Sequence, residues 1–571
     1  MRKILLTAVL GLYLFGAGAV AAEPYQINAD SILSYISVLA ADSLEGRQVG
    51  EIGEKKAAEY IKTEFEQAGL IPGGDNYGFY QDYEFTKNII PGDHNTLELN
   101  GQQLVVGIDY FPLKQSATTS FEFDEIVDVD YGIKMAEADG HYNDYENKAV
   151  AGKAVLIRTL APENPDNPHM DFSKYESLTG KITTAIDQEA GMVIFISPDD
   201  RDDTLEVSIT GNVYPKEIPI IFIKRSALEK LGLDIAHPQI ISVNGETEMV
   251  RTKGLSQNVI GIVPGKSDTT VIVGAHYDHL GWGYHNSLYK GEEKMIHNGA
   301  DDNGSGTAAL IALAKYFSSI KDQLNYSILF IAFGGEEFGL LGSSNFAQHM
   351  TIDSSKVRMM LNMDMIGRLK DQDKGLAILG TGTCEAFKNY FDSLDAGNLT
   401  LALKESGSGP SDHTPFYNRK IPVLHFFTGA HSDYHKPSDD VEFIDAEGIV
   451  TISHLVGDII TYFDETQEPL VFHKTQDSGE GKRRAKYSVT LGVMPDYVSE
   501  AKGLQIDGIV DDRPGAKAGL KERDIIIRMG EITINDIYDY MNALSKFRKG
   551  DAITIDVVRG ADTLTLPVTF E

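Results

Sequence analysis

The stretch Thr270-Val-Ile-Val-Gly-Ala275-His276-Tyr277-Asp278-His279 decides how this chain folds. Thr270–Ala275 suits a strand buried on both faces, and it runs straight into imidazoles and a carboxylate. The same punctuation recurs downstream. Ser327–Phe333 leads into Gly334-Gly335-Glu336-Glu337, and Val357–Met363 leads into Asp364. Ile421–Phe427 leads into a loop holding Asp433-Tyr434-His435. Between the first two strands lies Asn298-Gly-Ala-Asp301-Asp302-Asn303-Gly-Ser-Gly, just before a helical segment, Gly306–Ser319. Further helical segments are Ser344–His349, Glu385–Leu394 and Ala446–Phe463. Strands alternating with helices imply an α/β fold with a mainly parallel sheet flanked by helices. Open sheets of this kind bind ligands outside the carboxyl ends of their strands. The polar strand ends therefore converge on one crevice.

Upstream, residues 28–70 have helical spacing: Ile32, Leu33, Ile36 and Leu39, then Ala57, Tyr60, Ile61 and Phe65. Leu44-Glu45-Gly46-Arg47 lies between the two segments. From about Thr118 to Val250 the character changes to short strands (Ala151–Ile157, Gly191–Ile196, Ile218–Ile223) around a helix, Ile182–Ala190. That pattern reads as an inserted β-rich lobe. Residues 465–486 turn polar and charged, as a linker does. Residues 487–571 hold short strands and one helix, Ile537–Ser545, enough for a small domain. The expected division is 1–22 as leader, 23–117 and 251–464 as the sheet domain, 118–250 as the insert, 465–486 as linker and 487–571 as the last domain.

The leader has the three parts of a signal peptide. Arg2-Lys3 is its charged start, Ile4–Phe15 its apolar run, and Ala19-Val20-Ala21-Ala22 its small-residue end. No later segment is long and apolar enough to span a bilayer. A periplasmic or secreted protein without a stable membrane span is expected. The chain of 571 residues carries 51 Lys plus Arg against 84 Asp plus Glu, a formal charge of −33. A surface this acidic repels phosphate backbones and argues against nucleic-acid partners.

The single cysteine, Cys384, excludes an intramolecular disulfide and any Cys-cluster metal site. Carboxylates and imidazoles without thiolates suit zinc or another borderline divalent ion. Five such ligands are too many for one tetrahedral site. They suit two ions if one carboxylate bridges them, roughly 3.5–4 Å apart. Adjacent carboxylates at a strand end, Glu336 and Glu337, can divide the work of base and ligand. Taken singly, each carboxylate is as well explained as a helix cap or a solvated group. Their joint order at successive strand ends is what a surface pattern does not produce. The chain has no Gly-x-Ser-x-Gly elbow and no His-Glu-x-x-His helix, so serine hydrolases and helix-based zinc proteases lack support.

The order His276-x-Asp278, Asp302-Asn-Gly-Ser-Gly, Gly335-Glu336-Glu337, Asn362-Met-Asp364, Tyr434-His435 resembles metallopeptidase family 28, the dinuclear zinc aminopeptidases. Leu44–Arg47 and Ser411-Asp412-His413 are also similar to family motifs. The resemblance implies two Zn²⁺ ions per chain. Asp302 would bridge them, with His276 and Asp364 completing one site and Glu337 and His435 the other. It further implies Glu336 as general base and Tyr434 as the group polarising the scissile carbonyl. Asp278 would orient His276, and Asp439 would hold His435. The insert resembles a protease-associated domain. The tail resembles a PDZ domain, through Leu491-Gly492-Val493-Met494 and Gly515–Leu520. Such domains take an extended peptide against a strand edge, so a peptide tail or protein is a further expected partner. The leading expectation is an exported aminopeptidase acting on peptides. The alternatives are a carboxypeptidase, a glutaminyl-cyclase-like enzyme working with one zinc, or a catalytically silent peptide-binding protein.

Overall fold

The computed structural model describes residues 24–136, 141–162, 172, 175–197, 215–234, 237–291, 293–370, 375–475, 489–495, 501–509, 513–534, 537–544, 546–560 and 562–570. The leader and residues 476–486 of the linker lie outside them.

Nine strands form the central sheet. They are β1 (Ile71–Pro72), β2 (Tyr80–Pro91), β3 (Met249–Val263), β4 (Thr270–His276), β5 (Ser327–Phe333), β6 (Val357–Met363), β7 (Gly375–Leu379), β8 (Thr400–Lys404) and β9 (Val423–Phe427). Their order is β1-β3-β5-β4-β6-β9-β7-β8, with β2 also paired to β3. The four apolar runs β5, β4, β6 and β9 lie side by side and parallel. The margins are mixed: β3 joins β5 antiparallel, and β7 joins β9 antiparallel.

Every residue of β4 is buried, as a strand covered on both faces requires. Its side chains alternate between two cores. Val271, Val273 and Ala275 face a layer built from α1 (Ala29–Leu39), α2 (Ile52–Gln67), α3 (Gly306–Ser319) and the C-terminal helix Ala446–Thr466. Ile272 faces the other layer, with Phe346 and Phe416 from the short helices Leu341–Gln348 and His413–Asn418. Gly274 has no room for a side chain: a Cβ there would lie 2.4 Å from the Phe333 ring.

The turn between α1 and α2 pins the sheet domain together. Gly46 has φ +67° and passes so close to the next loop that a Cβ would lie 2.4 Å from His297 O. This lets Arg47 enter the core, where its guanidinium donates to the carbonyls of Leu39 (2.5 Å), Tyr277 (2.6 Å), Asn298 (2.6 Å) and Gly299 (2.9 Å). One buried side chain thereby ties the N-terminal helices to the loops after β4 and before α3.

β2 runs out to Pro91 and β3 returns at Met249, and those two residues are paired. The excursion between them forms the inserted lobe. It holds a five-stranded sheet (Tyr110–Pro112, Ile220–Ile223, Met192–Ile196, Ala154–Arg158, Ile126–Asp128) and a four-stranded one (Gln102–Leu104, Thr96–Leu99, Val243–Thr247, Thr119–Phe123). The strands between Thr96 and Pro112 therefore pair within the lobe, although the sequence places residues up to 117 in the sheet domain. The lobe begins where β2 ends.

The tail has its own core, including Leu491, Leu504, Ile506, Ile526, Ala543 and Val557. Its strands are mostly antiparallel neighbours, closed by the hairpin Ala552–Arg559 with Asp562–Thr569.

Glu54, in the first turn of α2, is fully buried beneath the end of β5. It accepts from Ser256 Oγ at 2.5 Å and from Gly50 N at 2.6 Å. Burial pushes its carboxyl from 4.5 up to about 8, against those two hydrogen bonds. The folded state therefore keeps a proton that the unfolded chain has released, and stability falls as pH rises from about 4.5 to about 8. A glutamine reproduces the neutral acid. In Glu54→Gln the thermal midpoint should decline less than the wild type's between about pH 5 and pH 8, a window set by that displaced carboxyl. Parallel melting curves for the two proteins across that range would show that another group governs the slope.

Candidate metal centre

The parallel strands end level with one another. His276 of β4 is paired with Phe333, the last residue of β5, and Gly274 with Asn362 near the end of β6. The residues that follow each strand consequently meet outside the same edge of the sheet. His435 is brought in by the loop after β9, where it takes a left-handed backbone conformation, φ 55°. Asp302 comes from the turn that starts α3.

Asp302 lies at the middle of the cluster. Its Oδ1 is 3.4 Å from His276 Nε2 and its Oδ2 is 3.4 Å from His435 Nε2. His276 Nε2 is also 3.2 Å from Asp364 Oδ1, and His435 Nε2 is 3.2 Å from Glu337 Oε2. The other ring nitrogens are tied to the main chain: His276 Nδ1 donates to Asp278 O at 3.2 Å, and His435 Nδ1 to Asn286 O at 2.9 Å. These bonds leave each Nε2 aimed at the carboxylates. Oxygen and nitrogen donors of this kind fit divalent cations, with Asp302 shared between two groups.

The surroundings hold the donors in place. Asp278 Oδ1 accepts from the backbone N–H of Glu336 at 3.0 Å, so it fixes the Glu336 main chain as well as lying beside His276. Ser411 Oγ donates to Asp364 Oδ2 at 2.7 Å. Asp439 makes no hydrogen bond or ion pair to His435 among the described residues. Its carboxylate instead accepts from the backbone N–H groups of Asp301 and Asp302, both at 3.0 Å, and lies 3.5 Å from Arg368 Nη2. It orients the turn carrying Asp302 rather than the imidazole.

Two adjacent glutamates receive opposite treatment. Burial raises the Glu336 carboxyl well above the usual range, opposed by His276 and reinforced by Asp364. Burial acts on Glu337 too, but His435 and His279 outweigh it and hold that carboxyl well below the usual range. Neighbouring carboxyls are thus pushed in opposite directions by their surroundings. The Tyr434 ring stacks on His435 with centroids 3.8 Å apart, and both Tyr434 and Glu336 line the cleft above the cluster.

His279 is closer to the centre than the sequence indicates. Its Nδ1 donates to Glu337 Oε1 at 2.8 Å and lies 3.8 Å from Asp302 Oδ2. The signal was its position three residues after His276, on the same strand exit. His431 stands behind the cluster, with Nε2 3.2 Å from Asp301 Oδ2. His413 stacks on His425 in the core, and His297 bonds Ser287 Oγ at 2.7 Å, so neither joins the centre.

The parallel-centred α/β sheet thus carries a buried carboxylate–imidazole cluster at its carboxyl edge, where open sheets of this kind bind ligands. Residues 258–460 match peptidase family M28, and residues 489–570 match the PDZ domain. Aminopeptidase YwaD of Bacillus subtilis is 32% identical over 226 residues, covering 37% of this chain and 44% of that protein. Aminopeptidase Y of Saccharomyces cerevisiae is 26% identical over 281 residues, 45% of this chain and 47% of that protein. The chain thus spans about half the length of the curated relatives it matches. Among solved structures, an aminopeptidase from Aneurinibacillus sp. strain AM-1 aligns with 79% of this chain and 95% of its own, at 21% identity and a TM-score of 0.46. No described helix is long and apolar enough to cross a membrane.

Proposed function

We propose that the chain is an exported aminopeptidase that uses two zinc ions to hydrolyse N-terminal residues from peptides. The observation that carries this reading is Asp302, each of whose carboxylate oxygens faces a different imidazole. His276, Asp302 and Asp364 would hold one ion; Asp302, Glu337 and His435 would hold the other, beside His279, which also groups with Asp302 and Glu337. When bound, such ions supply Lewis acidity toward water and the scissile carbonyl.

The chain's own residues do the rest. Glu336, its backbone anchored on Asp278, takes a proton from the attacking water and passes it to the leaving amine. Tyr434, beside His435 on the cleft wall, directs its hydroxyl to the carbonyl oxygen. The acidic floor attracts the peptide's N-terminal ammonium. Among the described residues, the insert, read as a protease-associated lobe, and the PDZ domain supply no donors to the centre. Export rests on residues 1–22 alone.

The test is a paired set of peptides with free and acetylated N-termini, incubated with zinc-loaded protein. Free N-termini should be cleaved one residue at a time, and acetylated ones should resist. Release of C-terminal residues would favour the carboxypeptidase reading. Cyclisation of N-terminal glutamine without hydrolysis would favour the cyclase.

A further inference from the structure

The cleft above the candidate metal centre has walls from two domains. Its volume is about 420 Å³, inside the range of roughly 300–1,000 Å³ typical of small-ligand sites. Its floor carries His276, Asp302, Glu336 and Asp364. Its lining also includes Thr490, Gly492, Val493 and Arg513 of the PDZ domain. Apolar side chains, Leu288, Met365 and Phe427 among them, make up much of the rest of the lining.

The lining carries charges of both signs. Asp302, Glu336, Glu337 and Asp364 contribute carboxylates, and the PDZ domain contributes the Arg513 guanidinium. The Arg513 side chain makes no hydrogen bond or ion pair among the described residues, and the residue is exposed. An unpartnered guanidinium beside an apolar passage is a fork for a carboxylate. A short peptide is itself a dipole, with an ammonium at one end and a carboxylate at the other.

We propose that this two-domain cleft takes short peptides whole, and that Arg513 of the PDZ domain binds the substrate's terminal α-carboxylate while the N-terminus lies at the acidic floor. The inference rests on the aminopeptidase reading and adds a substrate class: tri- to tetrapeptide-sized oligopeptides with a free C-terminus. The PDZ domain then acts within the substrate site. Long chains and C-terminally blocked peptides lose this contact.

The test compares a leucine-initiated tripeptide as free acid and as C-terminal amide, with full-length zinc-loaded protein. Leucine p-nitroanilide, which has no carboxylate, reports aminopeptidase activity independently. Wild type should favour the free acid by at least about tenfold in kcat/KM, mainly through KM, as expected for one charge-assisted contact near solvent. That ratio should fall toward one in Arg513→Ala, be largely kept in Arg513→Lys, and shrink in raised salt. Equal cleavage of acid and amide by wild type would overturn the proposal, as would survival of the preference in Arg513→Ala. Failure of wild type to cleave the anilide and both peptides would instead remove the aminopeptidase reading, and this inference with it.

Discussion

Glu336→Ala should lower turnover by about 10²–10⁴-fold, the usual worth of a positioned general base, while zinc content and affinity for substrate-like inhibitors are kept. Glu336 lines the cleft, but the imidazoles of the cluster pair with Asp302, Asp364 and Glu337. Its removal therefore takes away a proton carrier without taking away a donor. Glu337→Ala provides the contrast. Glu337 faces both His435, at 3.2 Å, and His279, at 2.8 Å, so its loss should lower metal affinity as well as rate. The two residues are chemically identical neighbours, and only their surroundings separate them. Zinc analysis beside steady-state rates reads the difference. Metal loss in Glu336→Ala with retention in Glu337→Ala would reverse the two roles, and unchanged turnover in both would place the chemistry elsewhere.

Asp302→Ala should strip the protein of both zinc ions and with them all peptidase activity. The expectation follows from the single carboxylate standing between two imidazoles at equal distances of 3.4 Å. Of the assigned ligands, each half-site would keep one imidazole and one carboxylate, a weak set for zinc, with His279 left on Glu337 as an imidazole that would have to change partners to take part. The purified wild type should hold close to two ions per chain, and the variant close to none, with far-ultraviolet circular dichroism unchanged. A variant that keeps one ion would mean that the two donor groups are independent. A wild type that saturates at one ion would favour the single-zinc alternative.

Much of this centre was legible in the sequence because long apolar strands have sharp polar ends. β4, β5 and β6 are runs of seven residues each, and the residue after such a run has only one edge of the sheet to occupy. β7 and β8 escaped notice. Each has five residues, and Thr400–Lys404 buries only Ala402, which reads as weakly as any surface segment. The start of the insert escaped for a related reason: Thr96–Leu99 and Gln102–Leu104 are short and partly polar, and only pairing with Val243–Thr247 and with each other reveals their allegiance. Spacing along the chain also carries no information about where a distant loop lands. Asp439 lies four residues beyond His435, yet its carboxylate reaches back to the N–H groups of Asp301 and Asp302. The approach of Arg513 to the cleft joins segments that no local pattern connects.

The paired residues Pro91 and Met249 give the inserted lobe a closed root. Seen from the sheet domain, the whole lobe is one hairpin loop whose ends are already side by side. The entropy of closing such a loop grows only with the logarithm of its length, about 0.6 kcal/mol for each doubling. Lobes of very different size can therefore be exchanged at this stem, as interchangeable cassettes, with little penalty to the folding of the sheet that carries the metal donors. The neck of the lobe is thus a natural graft point: the catalytic body and its appendage can change independently of one another.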